Sequence, residues 1–367
     1  MSAPGYSLCR DYLLWLLVAA LLAFSIAAPA RIPSYPSLVD WPTLATLGGL
    51  LLLTAGIEES GALQHLAVRI LHHVRDERRL ALFLITTALV SSALFTNDIA
   101  LFILVPLTLS LGRHATLPLR RLVVFEALAV NTGSMLTPIG NPQNIFLWLR
   151  SGAHIHEFIL AMAPPFLIAG ACLFAFTWAG FRPRTLHLEK IEADTPLDRM
   201  LLAVSASLFA PFLAVADMHE AGYALLAVGL IFAAAFRRVL RGLDWPLLLV
   251  FLLMFVDLRL LAGLSWVQGI LNSFDLHRPV TLYLSAAFLS QAMSNVPATI
   301  LLSQYTTDWR TLAWGVDVGG FGLVVGSLAN LIALRLGRQP GSLGAFHAWS
   351  LPFFGLSLAL TALWLHG

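Results

Sequence analysis

Apolar residues run through this chain in blocks, and a helix needs roughly 20 apolar residues to cross a bilayer core. The blocks are 12–28, 43–57, 80–112, 121–150, 158–181, 200–216, 221–236, 245–258, 279–307, 310–336 and 346–366. Each is predicted to be helical, so the pattern describes an all-α polytopic membrane protein. Residues 60–74 alternate apolar and polar positions with a helical period, and are predicted to lie along the cytoplasmic interface. Four blocks are interrupted by polar or helix-breaking residues. Thr96-Asn97-Asp98 stands at the centre of 80–112, and Ser294-Asn295 stands inside 279–307. Gly140-Asn141-Pro142 interrupts 121–150, and Gly326-Ser327 interrupts 310–336.

Basic residues orient the blocks, because Lys and Arg near segment ends stay in the cytoplasm. They cluster at Arg69, Arg75, Arg78 and Arg79, at Arg113, Arg120 and Arg121, and at Arg182, Arg184, Lys190 and Arg199. Further clusters are Arg237, Arg238 and Arg241, then Arg335 and Arg338; Arg31, Arg150, Arg259, Arg278 and Arg310 are isolated. With Arg10 inside, the N-terminus is cytoplasmic and the C-terminus periplasmic or extracellular. The start imitates a signal peptide through Arg10, an apolar run and Ala28-Pro29-Ala30, but the following membrane blocks favour a retained first helix. Block 80–112 has basic clusters at both ends and is short for two crossings and a turn. It is therefore predicted to enter from the cytoplasm, turn near mid-membrane at Thr96-Asn97-Asp98 and return. Irregular backbone at that depth is tolerated only when buried in protein or lining a cavity.

The chain also resembles itself. Asp40-Trp41-Pro42 recurs as Asp244-Trp245-Pro246, and residues 130–144 align without gaps to 316–330. Gly133 meets Gly319, Gly140 meets Gly326, and Asn144 meets Asn330. Thr96-Asn97-Asp98 corresponds in order to Ser294-Asn295-Val296. The charge argument places the two Asp-Trp-Pro openings on opposite sides. The prediction is one transmembrane domain over 1–367: a first helix (1–37), repeat one (38–181), a connecting loop with linking helices (182–241) and repeat two (242–367). Each repeat carries a re-entrant hairpin and a broken transmembrane helix, in inverted orientation. Such repeats, interrupted at matching places, point to a secondary transporter with its site near the midplane.

Composition narrows the alternatives. The chain is 58% hydrophobic and 11% charged, with a mean hydropathy of +0.81, whereas soluble domains carry about 25% charged residues. The net charge of +2 comes without a basic tail, so no nucleic-acid partner is expected. Cys9 and Cys172 form no metal or disulfide pattern, and the histidines lie mostly in loops. No His-Glu-x-x-His, Gly-x-Ser-x-Gly or nucleotide fingerprint occurs, so an enzyme is not expected. No organic cofactor and no metal beyond sodium is implied.

The breaks carry the candidate chemistry. Each new helix N-terminus presents unpaired N–H groups and partial positive charge, which suits an anion. Half-helices are predicted to begin near Ile99, at Pro297, at Pro142 behind an Asn141 cap, and behind Ser327. Thr96, Asn97, Asn141, Asn144, Ser294, Asn295, Thr299, Ser327 and Asn330 are the expected substrate ligands. Carbonyls released at the breaks suit a sodium ion, and Asp98 or Asp317 is expected to carry a coupling proton or neutralise a coupling cation. Asp98, Asp317, Glu126 and Asp257 all fall inside predicted spans, where a carboxylate is costly unless paired, hydrated or protonated. The roles of Glu126 and Asp257 are not readable from sequence.

Residues 95–107 (FTNDIALFILVPL), 140–146 (GNPQNIF) and 294–302 (SNVPATILL) resemble the ion-transporter superfamily. That group holds arsenite permeases, sodium–proton antiporters, citrate transporters and divalent anion–sodium symporters. The similarity covers the chain from about Asp40, and small anion permeases look closest. The resemblance implies a homodimer in the inner membrane, working as an elevator, that moves a small anion with sodium or protons. In the symporters each tip reads Ser-Asn-Thr. Here Asn97, Asn295 and Ser294 match, while Asp98 and Val296 replace the final threonines, which weakens a dicarboxylate assignment. The resemblance also implies Gly140, Gly326, Asn97 and Asn295 as further coupling-ion residues. Sodium–proton exchange, and arsenite efflux alone or with an ATPase subunit, are the competing expectations.

Overall fold

The computed structural model describes residues 12–62, 64–65, 76–114, 116–186 and 196–366. Arg10, Arg69, Arg75, Lys190 and most of the interfacial stretch 60–74 lie outside the described residues. Among those described, regular structure is helical apart from one bridge between Asp76 and Thr185. Eighteen α-helices follow in order: α1 Tyr12–Ala27, α2 Tyr35–Leu38, α3 Trp41–Glu59, α4 Glu77–Leu94, α5 Asn97–His114 and α6 Leu119–Ser134. Next come α7 Pro142–Ser151, α8 Ile155–Gly180, α9 Arg199–Asp217, α10 Ala221–Ala235, α11 Arg237–Gly242 and α12 Trp245–Ala262. The last six are α13 Ser265–Asn272, α14 Pro279–Met293, α15 Asn295–Leu302, α16 Trp309–Gly319, α17 Leu328–Gly337 and α18 Ser342–His366.

Helices α3, α8, α9, α12 and α18 are each long and apolar enough to cross a membrane. Their exposed faces are apolar too, as at Leu160, Leu167, Trp178, Met200 and Leu363, which is what a lipid solvent requires. The first helix is shorter than expected: it ends at Ala27, and the chain bends by 119° into residues 29–38. Ala28-Pro29 explains the stop, because Pro29 restricts the residue before it and removes a donor. Leu14 and Leu17 of α1 belong to the core, and α1 packs on α12.

The two Asp-Trp-Pro openings are built alike. Asp40 Oδ1 accepts from Thr43 N at 3.2 Å, and Asp244 Oδ1 accepts from Leu247 N at 3.0 Å. Each cap satisfies an orphan N–H of a helix whose second residue is proline. Both tryptophans turn back, Trp41 Nε1 to Pro36 O at 3.0 Å and Trp245 Nε1 to Leu240 O at 3.1 Å. The helices they open run in opposite directions. Asp40 pairs with Arg259, near the far end of α12, at 3.4 Å, and Glu59 at the end of α3 pairs with Arg238, just ahead of α12, at 2.9 Å.

Other end contacts sort the remaining helices. Arg78 Nε donates to Phe181 O at 2.8 Å, and Arg121 donates to Gly180 O. The starts of α4 and α6 therefore meet the C-terminal carbonyls of α8, a favourable place for cations. At the opposite end of α8, Asp217 Oδ1 accepts from Ile155 N at 2.9 Å, and Phe158 stacks on Trp309 with ring centroids 5.2 Å apart. Helices α4 and α5 fold back on each other, as do α14 and α15. The first hairpin is longer than the apolar block, because Glu77–Arg79 and Arg113–His114 continue helically past it; each arm is 18 residues, about 27 Å. The second is uneven, with arms of 15 and 8 residues.

Candidate functional site

The block 121–150 is broken between α6 and α7. Asn141 is the cap of α7, its Oδ1 accepting from Asn144 N at 2.9 Å, with Pro142 at the first helical position. Asn144 Nδ2 reaches back to Ser134 O at 3.3 Å. Gly140 lies against the same turn, where a Cβ would fall 2.4 Å from Ser134 O. The first hairpin tip touches this break: Asn97 N donates to Gly140 O at 2.9 Å, and Thr137 Oγ1 donates to Ala93 O at 2.7 Å. Helix α5 thus begins at Asn97, two residues earlier than the sequence suggests.

The block 310–336 is broken in the same way, with a 3₁₀ turn at Val324–Gly326 between α16 and α17. Ser327 caps α17 by accepting from Ala329 N at 3.3 Å. Asn330 Nδ2 reaches Gly320 O at 2.8 Å, the counterpart of the Asn144–Ser134 bond. A Cβ on Gly326 would fall 2.6 Å from Gly319 O. Gln291 joins hairpin to break by donating to Gly319 O and accepting from Leu323 N. Ala93 and Gln291 occupy matching positions, as do Thr137 and Leu323, so both halves are tied at one place by different bonds. Pro297 is not the first residue of α15. Ser294, at φ +76°, turns the chain early, so the helix starts at Asn295. Pro297 still lies in the first turn, where its absent N–H breaks no intrahelical bond.

The halves then exchange hydrogen bonds. Asn131 Nδ2 donates to Asn330 Oδ1 at 2.8 Å, and Asn131 Oδ1 accepts from Ser327 Oγ at 2.9 Å. At the position matching Asn131 stands Asp317. Its Oδ1 accepts from Asn141 Nδ2 at 3.1 Å and from Gln143 Nε2 at 2.9 Å, and Asn144 lies beside it. Residue 131 thus engages 327 and 330, while residue 317 engages their counterparts 141 and 144. Asn131 and Gln143 escaped the sequence reading. The signal for Asn131 was its alignment with Asp317; Gln143 had none beyond its place between Pro142 and Asn144.

The cluster is buried but not saturated. Thr96 Oγ1, Asn97 Oδ1, Asn144 Oδ1 and Asp317 Oδ2 are enclosed without a hydrogen-bond partner. All four surround the first break. The matching oxygens of the second half are engaged: Asn295 Oδ1 accepts from Val296 N at 3.0 Å and Asn330 Oδ1 from Asn131. Buried polar groups left unpaired are costly, and unpaired oxygens suit a cation or a proton. The tips supply the opposite chemistry. Neither Asn97 Nδ2 nor Asn295 Nδ2 donates to protein among the described residues. Both side chains are nearly enclosed, at 6% and 4% exposure.

Other candidates fall elsewhere. Thr299 Oγ1 bonds Asn295 O of its own helix at 2.7 Å. Asp98, in the first turn of α5, is less buried than Asn97. Glu126 is fully buried in α6; Thr108 donates to its Oε1 and its Oε2 is unpaired. Both carboxyl oxygens of Asp257 in α12 are buried without a partner. Among the described residues, no group of three or more His, Cys, Asp or Glu could hold a metal ion.

The citrate transporter family matches residues 12–319. The inner membrane protein YbiR of Escherichia coli K12 is 43% identical over 357 residues, 96% of this chain and 95% of that protein. An uncharacterized transporter of Methanocaldococcus jannaschii is 35% identical over 313 residues, 84% of each. A silicon efflux transporter of Oryza sativa is 30% identical over 129 residues, 35% of this chain and 27% of that protein.

Proposed function

The chain belongs to the citrate transporter family, and from that membership we propose that it moves a small anion, a carboxylate or inorganic oxyanion, across the inner membrane with sodium or protons. It is a transporter, not an enzyme. The observation that carries the proposal is the division of chemistry at the breaks. Two tip amides, Asn97 and Asn295, have donors to spare, and capped half-helices begin beside them, which favours an anion. Four enclosed oxygens around the first break favour a cation.

The movement is an elevator of the hairpins and broken helices against α3 and α12. Its supports are the antiparallel course of those two helices and the reciprocal bonds of residues 131 and 317, which a two-fold axis between the halves would generate. The basic loops, held in the cytoplasm, favour an axis in the membrane plane and hence inverted repeats. A homodimer completes the proposal. The exposed stripe Tyr223, Leu226 and Leu230 on α10 offers a second copy an apolar face that lipid covers otherwise.

Proteoliposomes test it directly. Uptake of labelled citrate, succinate, phosphate or sulfate is measured under a sodium gradient, a pH gradient, or neither. Gradient-dependent accumulation of one anion supports the proposal. Cation exchange with no anion flux would replace it by sodium–proton antiport. Arsenite and silicic acid belong in the panel as well, the latter because a relative is named for silicon efflux.

A further inference from the structure

Asp257 stands inside α12 at 4% exposure, with both carboxyl oxygens enclosed and without a hydrogen-bond partner. The residues one turn away on the same helix, Leu253, Met254, Leu260 and Leu261, are apolar. Asp257 follows Asp244 by thirteen residues; thirteen residues after Asp40, the matching place in α3 holds Leu53, fully buried. Packing in the first half thus needs no polar group here. A carboxylate enclosed in hydrocarbon without a partner is so costly that the group takes up a proton instead.

The place of Asp257 beside the second hairpin gives that proton a use. Tyr305, just past α15, donates to Ala262 O at the end of α12 at 2.7 Å, and Leu301 packs with Ala262 in one apolar cluster. Both helices finish at this contact and so run the same way. Leu261, which packs on the cluster, lies one turn beyond Asp257 on the same face. Asp257 is five residues before Ala262, about 7.5 Å, and Asn295 is six before Leu301, about 9 Å. Asp257 therefore lies on the side of α12 that α15 covers, near the depth of the tip amide.

We propose that Asp257 binds a proton while α15 rests on α12 and releases it to water when the second hairpin moves off. This deepens the reading of the hairpins as elements that move against α12, and rests on it. In the uncovered state a hydronium ion gives its proton to one carboxyl oxygen and leaves as water; the neutral acid can then be covered. In the reverse step the O–H bond breaks to water, and the carboxylate left behind must stay wet. The hairpin thus returns to α12 only with a proton aboard. A sodium ion would need several oxygen ligands, as hard cations do, and the neighbours on α12 are hydrocarbon. The site is separate from the four enclosed oxygens of the first break, none of which lies on α12.

No cation among the described residues takes the place of the proton, and no charged group lies close enough to act on Asp257. Helix α12 packs on α1, α2, α3, α13 and α15, and its Phe255 touches Phe146 of α7. Helices α13 and α15 carry no titratable side chain, and α1 has Tyr12 at its first residue. Tyr35 of α2 bonds Ser25 at 3.0 Å. Asp40 ahead of α3 pairs with Arg259, and Glu58 and Glu59 stand at the far end of α3. Arg150 of α7 donates to Ser303 O at 3.0 Å. On α12 itself, Asp244 caps the start, and Arg259 donates to Leu38 O at 2.8 Å. Residues two apart on a helix do not face each other, so Arg259 is turned from Asp257.

Two measurements on the full chain in lipid nanodiscs test the proposal, with no anion added. Infrared spectra across a pH series should show a protonated-carboxyl C=O component that titrates and that D257N removes. The second follows Leu301, which α12 covers at 4% exposure. L301C, with Cys9 and Cys172 changed to serine, is labelled with N-ethylmaleimide at each pH, with Asp257 or with D257N. Dividing the two rates cancels the titration of the thiol itself. The ratio should be one at low pH and rise as pH rises, because the ionised acid frees the hairpin and the asparagine never ionises. D257L, which copies Leu53, replaces D257N should the latter not fold. The proposal is overturned if the infrared component survives the substitution, if the ratio stays at one, or if sodium at constant pH abolishes the component. A flat ratio beside gradient-driven uptake in proteoliposomes discards the proton site and keeps the transport reading.

Discussion

Gly140 and Gly326 press so closely on the preceding turn that the first methyl group of any other side chain would meet backbone. The distances are 2.4 Å to Ser134 O and 2.6 Å to Gly319 O. Backbone cannot swing aside as a flexible side chain does, so Gly140→Ala or Gly326→Ala should destabilise by about 1–3 kcal/mol, the range of an overpacked core. Gly152 provides the contrast. It needs φ +69° but has open space around it, so Gly152→Ala should cost about 1 kcal/mol of conformational strain. Thermal unfolding in nanodiscs ranks the three, and a larger shift at Gly152 would refute the close-packing argument. At the tips the expected loss is in binding. A hydrogen bond to a charged group contributes about 1.5–3 kcal/mol, so Asn97→Ala and Asn295→Ala should each raise the KM for the transported anion roughly tenfold or more, with the fold intact by circular dichroism. An unchanged KM in both variants would remove the tip amides from the anion site.

At the scale of elements, the half-helices depend on caps that serve two purposes. Asn141 Oδ1 caps α7 while its Nδ2 bonds Asp317; Ser327 accepts from Ala329 N while its hydroxyl bonds Asn131. Loss of a cap costs about 0.5–2 kcal/mol. Asn141→Ala should exceed Ser327→Ala, because it also strips a donor from a buried carboxyl whose other oxygen is already unpaired. A double-mutant cycle on Asn131 and Asn330 should give a coupling of about 0.5–3 kcal/mol. These elements were partly legible in the sequence. Apolar blocks, Asp-Trp-Pro openings and the Asn141-Pro142 cap are local patterns; α3, α7 and α12 start at Trp41, Pro142 and Trp245 as those patterns place them, while α8 and α18 begin at Ile155 and Ser342, ahead of their apolar blocks. Residue 297 misled because Ser294 takes a left-handed backbone that nothing nearby announces. The hairpin arms came out longer because charged residues extend helices beyond the apolar core. The bonds of Asn131 and Gln143 were unreadable for another reason: each joins residues more than 170 positions apart, a span over which periodicity carries no information. Only the internal repeat bridges it, by pairing Asn131 with Asp317.

For the whole molecule, the decisive question is which way the halves face. Equivalent helices α3 and α12 lie antiparallel, with Asp40 near the end of α12 and Glu59 near its start. If the basic loops are cytoplasmic, Ser37 ahead of the first Asp-Trp-Pro is outside and Arg241 ahead of the second is inside. Both are exposed. With Cys9 and Cys172 changed to serine, S37C should react with a membrane-impermeant maleimide in intact cells, while R241C should react only after lysis. Labelling of both from one side would make the repeats parallel. Alternating access would then lose its simplest physical basis here. Two inverted halves of unlike conformation can exchange their conformations, which turns an inward-open molecule into an outward-open one without any new contact. The meeting of Asn131 with Ser327 and Asn330, and of Asp317 with Asn141 and Asn144, lies where that exchange would pivot. An amide on one side and an acid on the other make the pivot unequal, so a cation bound at the acid, as proposed above, would favour one of the two exchanged conformations.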